Sequence, residues 1–339
     1  MANSIEANKI IAVSNLWKSI EQARQLYSCA RFLEAYKLIK DVCEFIDMMV
    51  SIKLHGEGFD EKIYAEIYML AGDICGELGY SVEALSYYQK HQFFKFQLKH
   101  DFEGTDNITL YKFCNTRQYT LDNLINNEIS LAPPRIQNDI VDCPIFAWLD
   151  TLCGSNARFK KHIPFLKKSF DGLRCASFCA DTKDMRAIEN TLMWAHYANS
   201  HKGICIEYAL GKSDFRTNDQ SQWAATTLLK IKYTDPNVEP LNFTDRDTIL
   251  NSRTAYASKS IDWQYENEVR LVAYAPFHKD KFVPYQFNTP NSVKAIYFGS
   301  KCLTRQKNKV RNIFKGKNVR FFQMKFNPKN IHRLIYEEC

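Results

Sequence analysis

The 339-residue chain is short of the residues that mark repetitive or irregular polymers, with only 12 Gly and 10 Pro. Alongside 45% hydrophobic and 14% aromatic residues, this scarcity excludes a collagen-like, low-complexity or mostly disordered chain. No stretch reaches the roughly 18 uncharged apolar residues of a membrane span. The opening MANSIEANKIIAVSNLWKSIEQ lacks a charged segment followed by an apolar block, so the reading is a soluble, cytoplasmic protein with no membrane partner. The 11 cysteines include no C-x-x-C and no Cys/His spacing of a zinc module, so no metal is expected; their odd number without a signal peptide predicts reduced thiols and no disulfides. No motif here is as specific for one chemistry as a phosphate-binding P-loop, so function must be read from constellations of side chains.

What is present divides the chain in two, as its length suggests at about 150 residues per domain. Residues 8–100 carry apolar positions at helical spacing without a proline, broken at Ala30-Arg31, His55 to Gly58 and Gly79-Tyr80. Four antiparallel helices are expected. Tyr68, Gly72, Ala84 and Tyr88 have the spacing of a tetratricopeptide repeat, with a weaker copy at Ser19, Ala23, Ala35 and Ile39. The copies are offset by more than the usual period of about 34 residues, so the repeat is irregular. It reads equally as a platform that docks a protein partner or as a helical cap.

After Asp101 short β-branched and aromatic runs alternate with helical stretches. Ten strands are predicted: Ile108–Phe113, Glu128–Leu131, Leu173–Cys179, Gly203–Tyr208, Leu228–Tyr233, Glu266–Tyr274, Phe282–Phe287, Val293–Phe298, Val319–Phe326 and Arg333–Tyr336. Their irregular spacing indicates an α+β fold, with a helical domain over 1–103 and a mixed domain over 104–339.

Four constellations in the second part could carry chemistry. The first joins Tyr111 and Lys112 on a strand to a helix opening at Thr120 and a Pro-fixed turn at Asn138-Asp139. In the second, Trp194, Tyr197 and His201 share a helical face beside His196. In the third, Glu266, Glu268 and Arg270 share one face of a strand, which also reads as a surface ion-pair ladder. The fourth is the tail from 301, with 11 Lys and Arg against two Glu, interleaved with Phe314, Phe321, Phe322 and Phe326. Arg305, Lys309 and Lys315 would there contact a nucleic-acid backbone, or simply form a solvated helix face above core strands.

The first three blocks, including LMWAHYANSHKGICIEY, resemble the bacterial domain-of-unknown-function family 2971 from about residue 108 to 338. One departure is Ile140-Val141, where the family pattern continues Asn138-Asp139 with Pro and then Phe. The order of elements is distantly similar to that of ADP-ribosyltransferases, closest to DNA-targeting toxins. That resemblance implies NAD as substrate and a bacterial effector or toxin, in a setting such as antiviral defence. Tyr111, Lys112, Trp194, Tyr197 and His201 would grip the dinucleotide, with Lys112 standing where His or Arg is more usual. Glu268 would steer the ribosyl cation and Glu266 the choice of acceptor, with His196 beside them as a catalytic group. On this reading Glu268→Gln keeps the fold and lowers turnover by about 100-fold or more. Two further readings stand beside it: a metal-dependent nuclease built from His196, His201, Glu207, Glu266 and Glu268, and a non-enzymatic adaptor bridging protein and nucleic acid.

Overall fold

A computed structural model describes residues 2–51, 61–97, 107–136, 163–211, 214, 225–235, 257–274, 281–289, 291–330 and 332–339. Among them the helices are α1 (Ala2–Ser28), α2 (Phe32–Ser51), α3 (Glu61–Leu78), α4 (Ser81–Gln97), α5 (Gln118–Asn126), α6 (Ile163–Phe170), α7 (Thr191–Tyr197) and α8 (Thr304–Ile313). The strands are β1 (Ile108–Cys114), β2 (Glu128–Leu131), β3 (Leu173–Cys179), β4 (Ile204–Leu210), β5 (Ala225–Lys230), β6 (Lys232–Thr234), β7 (Ser258–Ser260), β8 (Glu268–Tyr274), β9 (Val283–Gln286), β10 (Val293–Phe298), β11 (Arg320–Phe326) and β12 (Leu334–Glu338). The α+β class is as expected. The Asn138-Asp139 turn and the break at His55 to Gly58 lie outside the described residues.

The chain forms two compact units, Met1–Leu98 with Trp148–Gly172, and Lys99–Ala147 with Leu173–Cys339. The expected continuous domain from 104 is therefore interrupted, because α6 packs on α4 and buries Ser169 and Phe170. In the first unit α1 to α4 pack consecutively around Ala23, Ala35, Ile39, Tyr68 and Ala71. The chain reverses at Ala30 and Gly79, both with positive φ (59° and 76°). At Gly79 the next amide, Tyr80 N, closes the α3 terminus on Cys75 O at 2.9 Å, a left-handed cap that glycine enters without steric cost. Gly72 allows close approach of α3 and α4: a Cβ there would lie 2.9 Å from the Tyr88 ring.

The second unit is built on an eight-stranded sheet of order β12-β11-β10-β4-β1-β3-β8-β5. All neighbours are antiparallel except β10 and β11, which are parallel and joined through α8, as a parallel pair needs a crossover. Alternation sorts the side chains. Ile108 and Leu110 of β1, with Ile204, Ile206 and Tyr208 of β4, enter one core with α5, β2, β9 and α8. Tyr111 and Phe113, with Cys205 and Tyr297, enter the opposite core under α7. Lys112 has the parity of the first face, which places an amine on an apolar surface.

Candidate active site

The sheet is split near its middle. β1 pairs with β4 along its whole length, and β3 does so with β8, yet β1 and β3 join only at Tyr111↔Cys179. Beyond that pair a cavity of about 230 Å³ lies between Tyr111, Lys112 and Phe113 on one side and Cys175 to Cys179 on the other. Met193 and Tyr197 of α7, Lys259 of β7, and Trp263, Glu266 and Glu268 complete its wall. A neighbouring hollow of about 720 Å³ shares Lys112, Phe113, Ser130 and Tyr197, and adds Asn115, Arg117, Asn123 and His196.

At one wall sit two buried carboxylates bridged by an ammonium. Lys259 Nζ lies 2.7 Å from Glu266 Oε2 and 2.9 Å from Glu268 Oε2. Arg270 holds Glu268 through two bonds, Nε to Oε1 at 2.8 Å and Nη2 to Oε2 at 3.0 Å. Burial favours the neutral Glu268 acid, but the Arg270 charge and hydrogen bonds, with Lys259, outweigh it and hold the pKa at about 2. Burial dominates at Glu266 instead and raises its pKa, against the pull of Lys259 and the Tyr197 hydroxyl that donates to Oε1. The same burial, with the Glu266 bond, raises the Tyr197 phenol. Lys259 also lies 5.3 Å from the centre of the Trp263 ring.

The structure brings together Tyr111, Lys112, Tyr197, Glu266 and Glu268, and sets His196 on the adjoining hollow. The expected strand over Glu266 is corrected. Ile261–Glu266 is a 3₁₀ turn capped by Ser260 and closed by Asn267 at φ 40°, so Glu266 approaches Glu268 from a turn while Glu268 and Arg270 share the strand face. Nor is that trio a surface ladder, since all three side chains are buried.

Two aromatic-block residues sit elsewhere. Trp194 is wholly buried, donates Nε1–H to Ile188 O at 2.7 Å and meets Phe113 edge to face, so it supports the cavity wall from behind. His201 leaves the helical face because α7 ends at Tyr197, after which Asn199, Ser200 and His201 all take positive φ. Its carbonyl accepts from Lys301 N at 2.9 Å, and burial, then the Lys301 charge, lowers its imidazole pKa. The metal set of the nuclease reading, His196, His201, Glu207, Glu266 and Glu268, is therefore not assembled; no group of three or more His, Cys, Asp or Glu able to hold a metal occurs among the described residues.

Sequence reasoning overlooked Lys259 and Arg186. Arg186 donates to the hydroxyls of Tyr111 (2.8 Å) and Tyr336 (2.6 Å), and orders Tyr111 from outside the cavity. Neither residue stands in a periodic pattern, so no local signal could have singled it out. In the tail Arg305, Lys309 and Lys315 are exposed, but Phe314 and Phe322 are core residues rather than stacking platforms.

Residues 193–271 match the family described as "Protein of unknown function (DUF2971)". The matched segment runs from α7 through β4 to β8, and so carries Tyr197, Lys259, Glu266, Glu268 and Arg270. Neither the curated proteins nor the solved structures contain a significant match to the chain. Among the described residues no helix is long and apolar enough to cross a membrane.

Proposed function

We propose that the second unit is an ADP-ribosyltransferase-like enzyme, a bacterial effector or toxin that moves ADP-ribose from NAD to a nucleic acid or protein. One observation carries this reading: the split sheet opens a cavity walled by Tyr111, Tyr197 and Trp263, with the Glu266–Lys259–Glu268 bridge in its lining. Breaking the bond between ribose and nicotinamide builds positive charge on the ribose, and a fixed carboxylate stabilises that charge. Glu268 is ionised at neutral pH and immobilised by Arg270, so it needs no reorganisation as the charge develops. Glu266, with its raised pKa and its Tyr197 bond, is suited to taking the proton of an acceptor hydroxyl or amine. Tyr111 and Tyr197 supply flat walls for the nicotinamide ring, and Lys112 offers an amine to ribose hydroxyls. The two adjoining hollows together fall within the range of about 300–1,000 Å³ of ordinary ligand sites. In this reading the helical unit docks a protein partner or regulates activity, and the basic tail approaches a nucleic-acid target.

The test is release of nicotinamide from NAD by the purified chain, in the presence of DNA, RNA or protein acceptors, with and without a chelator. Glu266→Gln is expected to reduce transfer to acceptor more than NAD cleavage, and Glu268→Gln to reduce both by about 100-fold or more. Absence of NAD cleavage with every acceptor class, or an unimpaired Glu268→Gln protein, rejects the reading.

A further inference from the structure

Among the described residues Lys112 has no counter-ion. Its Nζ donates to Ser177 O at 3.1 Å across the split and lies 5.4 Å from the centre of the Phe178 ring. Among the described residues no carboxylate pairs with it. The ionisable groups around it are the thiols of Cys114 on its own strand, Cys175 and Cys179 on β3, and the Glu268 carboxylate on β8. Glu268 is already engaged by Arg270 and Lys259. Burial pushes the Cys114 thiol up to about 12 and the Cys179 thiol well above its ordinary value, so these thiols stay neutral and supply no compensating charge. Lys112 is half-buried and lines both the smaller cavity and the larger hollow, so its amine is one that a ligand would meet.

We propose that Lys112 is a carbonyl-reactive amine, placed to form an imine with a small aldehyde or ketone that enters the cavity between β1 and β3. This goes beyond the transferase reading and does not rest on it, since it requires only Lys112 and the cavity. Taking a cation out of water without a partner favours the neutral amine, and the Lys112 pKa is lowered by burial accordingly. A neutral amine keeps the lone pair that an ammonium lacks. In the step, Nζ bonds to the carbonyl carbon, and the amine protons pass to the oxygen. Loss of that oxygen as water leaves the C=N bond. No oxidant or further reactant is needed. Apolar and aromatic side chains of Phe113, Phe178 and Trp263 suit the body of such a ligand.

The full-length native protein is treated with benzaldehyde and cyanoborohydride at pH 6.5, and the adducts are mapped by peptide mass spectrometry. At that pH an exposed lysine with an ordinary pKa of about 10.4 is neutral in only about one molecule in 10⁴. Lys112 is expected to be modified at least tenfold more than exposed lysines such as Lys202 and Lys294. Unfolding in urea should abolish the preference. Adducts spread over surface lysines with Lys112 no more modified than they are, or no adduct at Lys112 at all, overturns the proposal.

Discussion

Whether a side chain is structural or chemical is decided here by what surrounds it rather than by its type. Glu268 and Arg270 are both about 1% exposed, so removing the charge of one strands the other in a medium that cannot solvate it. The expectation that Glu268→Gln leaves the fold intact is therefore revised: it should cost about 3–5 kcal/mol, read from urea unfolding at pH 7. The pH dependence follows from the direction of the shift. A carboxyl held at about 2 contributes stability above its ordinary value of about 4.5 and loses it as pH falls from there towards 2. The gap in urea midpoint between the native protein and Glu268→Gln should accordingly narrow between pH 7 and pH 3. Glu266, raised instead, works with the opposite sign: its contribution is present below about 4.5 and fades as pH rises through its folded value. Trp194→Ala should also destabilise by about 3–5 kcal/mol, as loss of a buried aromatic, without removing any polar group from the cavity.

The turn from α7 into β4 is the element that aims the site. Asn190 caps α7 by accepting from Leu192 N at 3.0 Å, and three successive left-handed residues then bring the chain to Gly203. A Cβ at Gly203 would stand 2.2 Å from Cys114 O and 2.9 Å from Ala198 O, both backbone atoms that cannot swing aside. Gly203→Ala should therefore cost at least the roughly 1–3 kcal/mol of overpacking and displace Tyr197 from Glu266, measurable as a lower thermal midpoint. α8 is a contrasting element, with Val310 buried and Arg305 and Lys309 exposed, followed by exposed Lys315. Lys307 is tied to Gln323, and Arg311 packs over Phe298 and Phe321, so these two cations serve the fold. If the exposed three contact phosphates, neutralising them together should lower the slope of log K against log salt by about two to three. Stability should change by less than about 0.5 kcal/mol per substitution.

For the whole molecule, the two units interlock along the sequence, since α6 belongs with the helices although it follows β2 in the chain. A fragment of residues 104–339 would carry α6 without α4, leaving Phe170 and its neighbours uncovered. Such a fragment should bind a hydrophobic dye and aggregate at concentrations where the full chain stays monodisperse by light scattering. Equal behaviour of fragment and full chain would show that α6 needs no partner.

Much of this architecture is legible in the residues, and the reason is local. All ten expected strands overlap observed ones to within a few residues, Leu228–Tyr233 spanning both β5 and β6, because a β-branched and aromatic run such as Val293–Phe298 is a property of consecutive positions. Gly79 and Ala30 mark chain reversals in the same way. The candidate site is half visible in the sequence. Tyr111, Lys112 and Glu268 stand out as polar or aromatic groups in apolar runs, whereas Trp194, Tyr197 and His201 share an expected helical face, and the helix ends at Tyr197. Only the tertiary structure could show that β1 and β3 part after a single pair, or that Lys259 bridges two carboxylates while no described carboxylate pairs with Lys112. Such facts depend on strands distant in sequence and on the water their packing excludes, and nothing in a run of neighbouring residues encodes either.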